Sequence, residues 1–103
     1  MKTYRIIPEP NVEIELEAIY QWIAESSPLN AIRWYNNCLS SIASLSELPQ
    51  RCSIAPESES FGCEVRQLLH GQYRIPFTIR EQAVHVLHVR HGARAALDDT
   101  LTE

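Results

Sequence analysis

Residues 63–91 read CEVRQLLHGQYRIPFTIREQAVHVLHVRH, and the period of this stretch decides the fold. Tyr73, Ile75, Phe77 and Ile79 occupy alternate positions, the two-residue repeat of a strand with one buried face. CEVRQLL before them and AVHVLHV after them are β-prone runs, set off by His70–Gly71 and by Glu81–Gln82, which suit turns. Three strands over 63–70, 72–80 and 83–91 are therefore predicted to form an antiparallel meander. The last is apolar on both parities, the pattern of a strand covered on both faces, so it is expected to run centrally. Pro76 lacks the N–H that a ladder uses, which puts its strand at an edge or makes it bulged.

Outward from the meander the period changes. Tyr4–Ile7 is a short β-prone run stopped by Pro8 and Pro10. Val12, Leu16, Ile19, Tyr20 and Ile23 then fall on one stripe at 100° steps, with Glu13, Glu17, Gln21 and Glu25 on the solvent side, giving a helix near 10–26. Ser27 followed by Pro28 is a helix N-cap followed by proline in the first turn. A second helix over 28–47 carries Ala31, Trp34, Tyr35, Cys38, Ile42 and Leu45 inward and ends before Pro49. So short a linker makes the two helices an antiparallel hairpin. Residues 50–62, QRCSIAPESESFG, have no period and read as a surface loop without a recognisable function. The order strand, helix, helix, three strands is an α+β arrangement, with the helical hairpin packed on one face of the sheet. Trp22, Trp34 and Tyr35 are expected in the core or between the helices.

With 103 residues, 45% of them hydrophobic and 21% charged, the chain suits a single domain over 1–103 and excludes disorder. No run approaches a membrane span and the N-terminus lacks the apolar core of a signal peptide, so a cytoplasmic protein with no membrane association is expected. Cys38, Cys52 and Cys63 are odd in number and lack C-x-x-C spacing, which points to reduced thiols. The net charge of −4 argues against binding nucleic acid through general phosphate attraction. Charge is nevertheless uneven: between residues 63 and 94 five arginines face two glutamates, and all four histidines lie there.

Tyr73, Ile75 and Phe77 claim the helix side of their strand, so Arg74 points to the other face. Arg66 lies on the neighbouring strand, and Arg90, His91 and Arg94 lie at or just after the end of the last one. A small cationic patch follows if the meander pairs in simple register. Arginine suits such a patch because its planar fork pairs bidentately with carboxylate or phosphate. The alternative is cross-strand ion pairing with Glu64, Glu81 and the acidic tail, worth at most about 1 kcal/mol per exposed pair. His85, His88 and His91 do not share a strand face by parity, and no acid or cysteine stands at ligand spacing, so neither a metal site nor a cofactor is expected. His91, between two arginines, is a candidate base or hydrogen-bond partner.

The helices EIELEAIYQWIAESSP and AIRWYNNCLSSIASLSELP, followed by VRQLLHGQYRIPFTI and VLHVRHGAR, resemble the RelE/ParE family of bacterial type II toxin–antitoxin toxins from Tyr4 to about Arg94. The most specific pieces are Val65-Arg66, Tyr73-Arg74-Ile75 and His91-Gly92-Ala93-Arg94. The resemblance implies a toxin neutralised by a co-encoded antitoxin, with Arg66, Arg74, Arg90, His91 and Arg94 as antitoxin- or target-binding residues. It also implies one of two targets. ParE-like members poison DNA gyrase. Ribosome-dependent members cut mRNA in the A site, in which case Arg66, Arg74 and Arg94 would be the cations and His91 the base. The single lysine, Lys2, the absence of a tyrosine after Arg94 and the H-G-A-R ending look more like the ParE branch. A third reading is a partner-binding domain without toxicity.

Overall fold

The computed structural model describes residues 3–92. Strand β1 (Arg5–Pro8) leads into α1 (Pro10–Ser26) and α2 (Pro28–Ala43), followed by two 3-10 turns, Ser44–Ser46 and Pro49–Arg51. Then come β2 (Ser53–Ile54), α3 (Glu57–Phe61), β3 (Arg66–His70), β4 (Tyr73–Arg80), β5 (Ala83–Val86) and β6 (Arg90–His91).

The helical hairpin turns on one residue. The Ser27 N–H closes α1 by donating to Ile23 O at 2.9 Å, and its hydroxyl accepts from Asn30 N at 3.2 Å to cap α2. Pro28 then takes the first helical position, where its missing N–H leaves no bond unmade. The regular part of α2 stops earlier than the apolar period, because the chain tightens into a 3-10 turn and Leu48 adopts a left-handed φ of 49° before Pro49. Arg51 satisfies the released carbonyls, donating to Glu47 O at 2.9 Å and Leu48 O at 3.1 Å.

The sheet runs β1-β5-β4-β3-β2, with β6 also paired to β4. The meander β3-β4-β5 is antiparallel, and β1 adds to β5 in parallel, Arg5 opposite Ala83 through Pro8 opposite Val86. That addition makes β5 central, as its two-sided apolarity requires. The helix face of the sheet carries Leu68, Ile75, Phe77, Val84 and Val86 against Val12, Leu16, Cys38, Ile42 and Leu45. Burial pushes the Cys38 thiol up to about 11, the behaviour of an inert core residue. Tyr35 meets Tyr20 edge-on across the hairpin at 5.8 Å, and Trp34 packs on Tyr73 at 5.2 Å. Trp22, expected inside, is instead 67% exposed, because it lies to one side of the α1 stripe.

Pro76 does not mark an edge: β4 lies between β3 and β5, and Pro76 is fully buried. The irregularity falls on the partner strand. Phe77 pairs with Val86 and Arg74 with Arg90, so Ile75 and Pro76 face Leu87, His88 and Val89. One extra residue opposite the proline is a β-bulge, which removes the demand for the N–H that Pro76 lacks. Pro76 still accepts at its carbonyl, from Leu87 N at 2.9 Å.

Candidate functional site

The two-residue turn Gly71–Gln72 sets His70 opposite Tyr73 and, counting back, Arg66 opposite Phe77. Arg66 therefore shares the helix face with Phe77, whereas Arg74, opposite Leu69, points to the other, open face. The bulge brings Arg90 opposite Arg74 on that open face and His91 opposite Tyr73 on the helix face. The candidate residues thus divide into two groups on opposite sides of the sheet. Arg94 lies outside the described residues.

Arg66 is engaged locally. Its Nη1 donates to Cys52 O at 2.6 Å and Gln50 O at 3.1 Å, and its Nη2 lies 3.3 Å from Glu64. These contacts hold the 50–54 segment against the sheet edge, where β2 pairs with β3.

Arg74 is only 8% exposed. Glu57 of α3 receives both of its terminal nitrogens in a bidentate pair, and Gln67 Oε1 accepts from Nη1 at 2.6 Å. Glu57 comes from the PESES segment whose sequence has no period, and no spacing rule links it to an arginine seventeen positions later. What brings it there is Ser58, whose hydroxyl accepts from Val65 N at 2.7 Å and donates to Val65 O at 2.9 Å. Ser58 ties α3 to the chain just before β3, and Gly62, at φ +70°, supplies the left-handed turn that ends α3. The open face is thus roofed by a short helix whose carboxylate meets its buried arginine.

On the helix face His91 contacts the Tyr73 ring edge-on at 5.3 Å, and its Nε2 lies 3.3 Å from Gln72 Oε1. Gly92 follows because its N–H donates to Gln72 O at 2.7 Å, and a Cβ there would stand 3.2 Å from that oxygen. His70 binds Ser41 through Nδ1 at 3.0 Å. His85 lies opposite Thr78 on the open face.

His88, in the bulge, meets α1. Its Nδ1 is 3.0 Å from Glu15 Oε2, and the second oxygen of Glu15 accepts from Val89 N at 2.9 Å. Burial alone would raise the Glu15 carboxyl. Hydrogen bonds from His88, Val89 N and Asn11, with the charge of His88, outweigh it and hold the group below its ordinary 4.5. A carboxyl depressed on folding contributes stability above its unfolded value and loses it as pH falls through the folded one. Wild-type protein is therefore expected to lose stability below about pH 4.5 more steeply than Glu15→Gln, which has no proton to take up. Urea midpoints between pH 7 and 3 give the comparison, and parallel curves would remove Glu15 from the acid response.

Among the described residues, no helix is long and apolar enough to cross a membrane. The family model for the ParE toxin of the type II toxin–antitoxin system, parDE, matches residues 6–96. A solved chain of the chromosomal ParDE system from P. aeruginosa is similar in fold, with a TM-score of 0.68 at 14% identity over 86% of this chain and 96% of that one. Among curated proteins none matches. Because the family model spans both the helical hairpin and the whole meander, the chain belongs to the ParE toxin family of type II toxin–antitoxin systems.

Proposed function

We propose that this protein arrests bacterial growth in the cytoplasm by inhibiting DNA gyrase, and that a co-encoded antitoxin neutralises it. Membership of the ParE family supports the toxin and its antitoxin. The observation that carries the choice of gyrase over message cleavage is the divergence of the candidate residues. In-line cleavage needs a base, a phosphate-binding cation and an acid converging on one phosphate. Here Arg74 and Arg90 lie on the open face while His91 and Arg66 lie on the helix face. Glu57 is one observation in favour of a nuclease, since a carboxylate beside an arginine is a base beside a phosphate fork. Its two oxygens are, however, engaged by Arg74.

An antitoxin has two surfaces to use. Leu29, Ile32 and Leu39 make a second, exposed apolar stripe on α2, of the kind that an amphipathic segment covers. Arg90, beside Arg74 on the open face, suits an acidic segment, and Arg94 extends that basic character in sequence.

Expression alone is expected to stop growth and induce the DNA-damage response, and co-expression of the adjacent frame to restore growth and copurify. Growth arrest with A-site message cleavage and no DNA damage would favour the nuclease. Normal growth without the antitoxin would favour a partner-binding domain that lacks toxicity.

A further inference from the structure

The bulge at Leu87–Val89 decides which way the end of the last strand faces. Continued without interruption from Phe77 opposite Val86, the ladder would set Val89 opposite Arg74 and Arg90 opposite Tyr73. The observed pairs are Arg90 with Arg74 and His91 with Tyr73. One extra residue therefore turns Arg90 to the open face and His91 to the helix face, and it carries Val89 into the core at 2% exposure.

A bulge leaves backbone groups outside the ladder, and here α1 receives them. Asn11 Nδ2 donates to Leu87 O at 2.9 Å, and Val89 N donates to Glu15 Oε1 at 2.9 Å. The other Asn11 hydrogen reaches Glu15 Oε2 at 3.2 Å, and His88 Nδ1 lies 3.0 Å from the same oxygen. With the proton on His88 Nδ1, each of these donors has an acceptor, so α1 replaces hydrogen bonds that the bulge takes out of the ladder. Asn11 and Glu15 stand four residues apart, one helical turn, and so aim from one face of α1 at the two sides of the bulge.

We infer that Asn11 and Glu15 are positioning residues that fix the bulged register of the last strand and so set the faces on which Arg90 and His91 stand. The functional consequence, though not the register itself, rests on the proposed role of Arg90 in binding the antitoxin. Neither α1 residue needs to touch a partner to affect binding.

The test compares Glu15→Leu, Glu15→Gln, Asn11→Ala and Arg90→Ala in the full chain. Amide exchange at Val89 and the nuclear Overhauser contact between the Tyr73 and His91 rings report the register. Binding of the product of the adjacent frame reports the consequence. Glu15→Leu is expected to speed Val89 exchange at least 100-fold and to lose the ring contact. Glu15→Gln keeps an acceptor for Val89 N and is expected to retain both, the rescue that distinguishes positioning from charge. Should Glu15→Leu fail to fold, Asn11→Ala carries the test, with Val89 exchange about tenfold faster. Arg90→Ala is expected to weaken antitoxin binding with both register signals intact. Unchanged exchange and an intact ring contact in folded Glu15→Leu and Asn11→Ala would overturn the inference. Register signals lost in Glu15→Leu while both it and Arg90→Ala bind the antitoxin as wild type would support the positioning role and overturn the role of Arg90.

Discussion

Glu57→Ala is expected to lower folding stability by about 3 kcal/mol, the scale of breaking a buried ion pair from one side. The two side chains are about equally hidden, at 10% exposure for Arg74 and 11% for Glu57. Removing the carboxylate takes a bidentate partner from a guanidinium that has little access to water, and part of the desolvation already incurred is no longer offset. For a domain of this size such a loss lowers Tm by about 15 °C, a large part of the margin that a chain of this length has. Two further variants isolate the cause. Glu57→Gln keeps one acceptor and is expected to fall between wild type and alanine. The double variant Glu57→Leu/Arg74→Met removes both charges and is expected to recover most of the loss, since an apolar pair of similar volume carries no desolvation cost. Urea unfolding of the four proteins, with the single variants Glu57→Leu and Arg74→Met added to close the cycle, gives the coupling between the two charges. A Glu57→Ala protein within 0.5 kcal/mol of wild type would mean that the α3 roof is held without this pair, by contacts such as those of Ser58 and Ala55 with Val65.

This pair also changes how Arg74 is to be tested. A charge reversal there would act on folding before it acted on any partner, so Arg90, opposite Arg74 on the open face, is used as a second probe of electrostatics there, with its folding stability measured alongside. Binding that weakens on Arg90→Glu, by a margin that narrows as salt is raised, is the mark of such a contact.

The helices, their one-residue junction and the meander are legible because local chemistry and period agree. Ser27-Pro28 can both end and start a helix, and Tyr73, Ile75, Phe77 and Ile79 stand at alternate positions, although Arg74, Pro76 and Thr78 between them are buried as well. The separation of Arg66 from Arg74 is not read from the sequence: the turn falls at Gly71–Gln72, one residue beyond the His70–Gly71 expected, and the register counted from it puts the two arginines on opposite faces. The bulge is hidden for a physical reason. AVHVLHV is apolar on both parities, so a one-residue slip leaves no trace in its pattern. Pro76 marks the irregularity, but the strand that yields is its neighbour. Glu57 is invisible for another reason: a five-residue helix has too few turns to display a period, and its place over Arg74 depends on the Ser58 contacts and not on spacing. The parallel addition of β1 is likewise a tertiary choice, because four residues of strand carry no signal for their partner.

Under the proposed function this fold acts by binding gyrase and performs no cleavage of its own. Purified, antitoxin-free protein is expected to abolish supercoiling by gyrase and to accumulate cleaved gyrase–DNA complexes, while leaving messages on programmed ribosomes intact. Arg90→Ala is expected to reduce the gyrase effect through affinity, by about 1–3 kcal/mol, the range for loss of a well-packed charged contact. The most direct measurement is therefore a side-by-side assay of gyrase cleavage complexes and A-site message cleavage with the same preparation. Cleavage complexes with uncut message are the expected result. Message cut in the A site, lost in Glu57→Gln or His91→Ala while gyrase turns over normally, would contradict it.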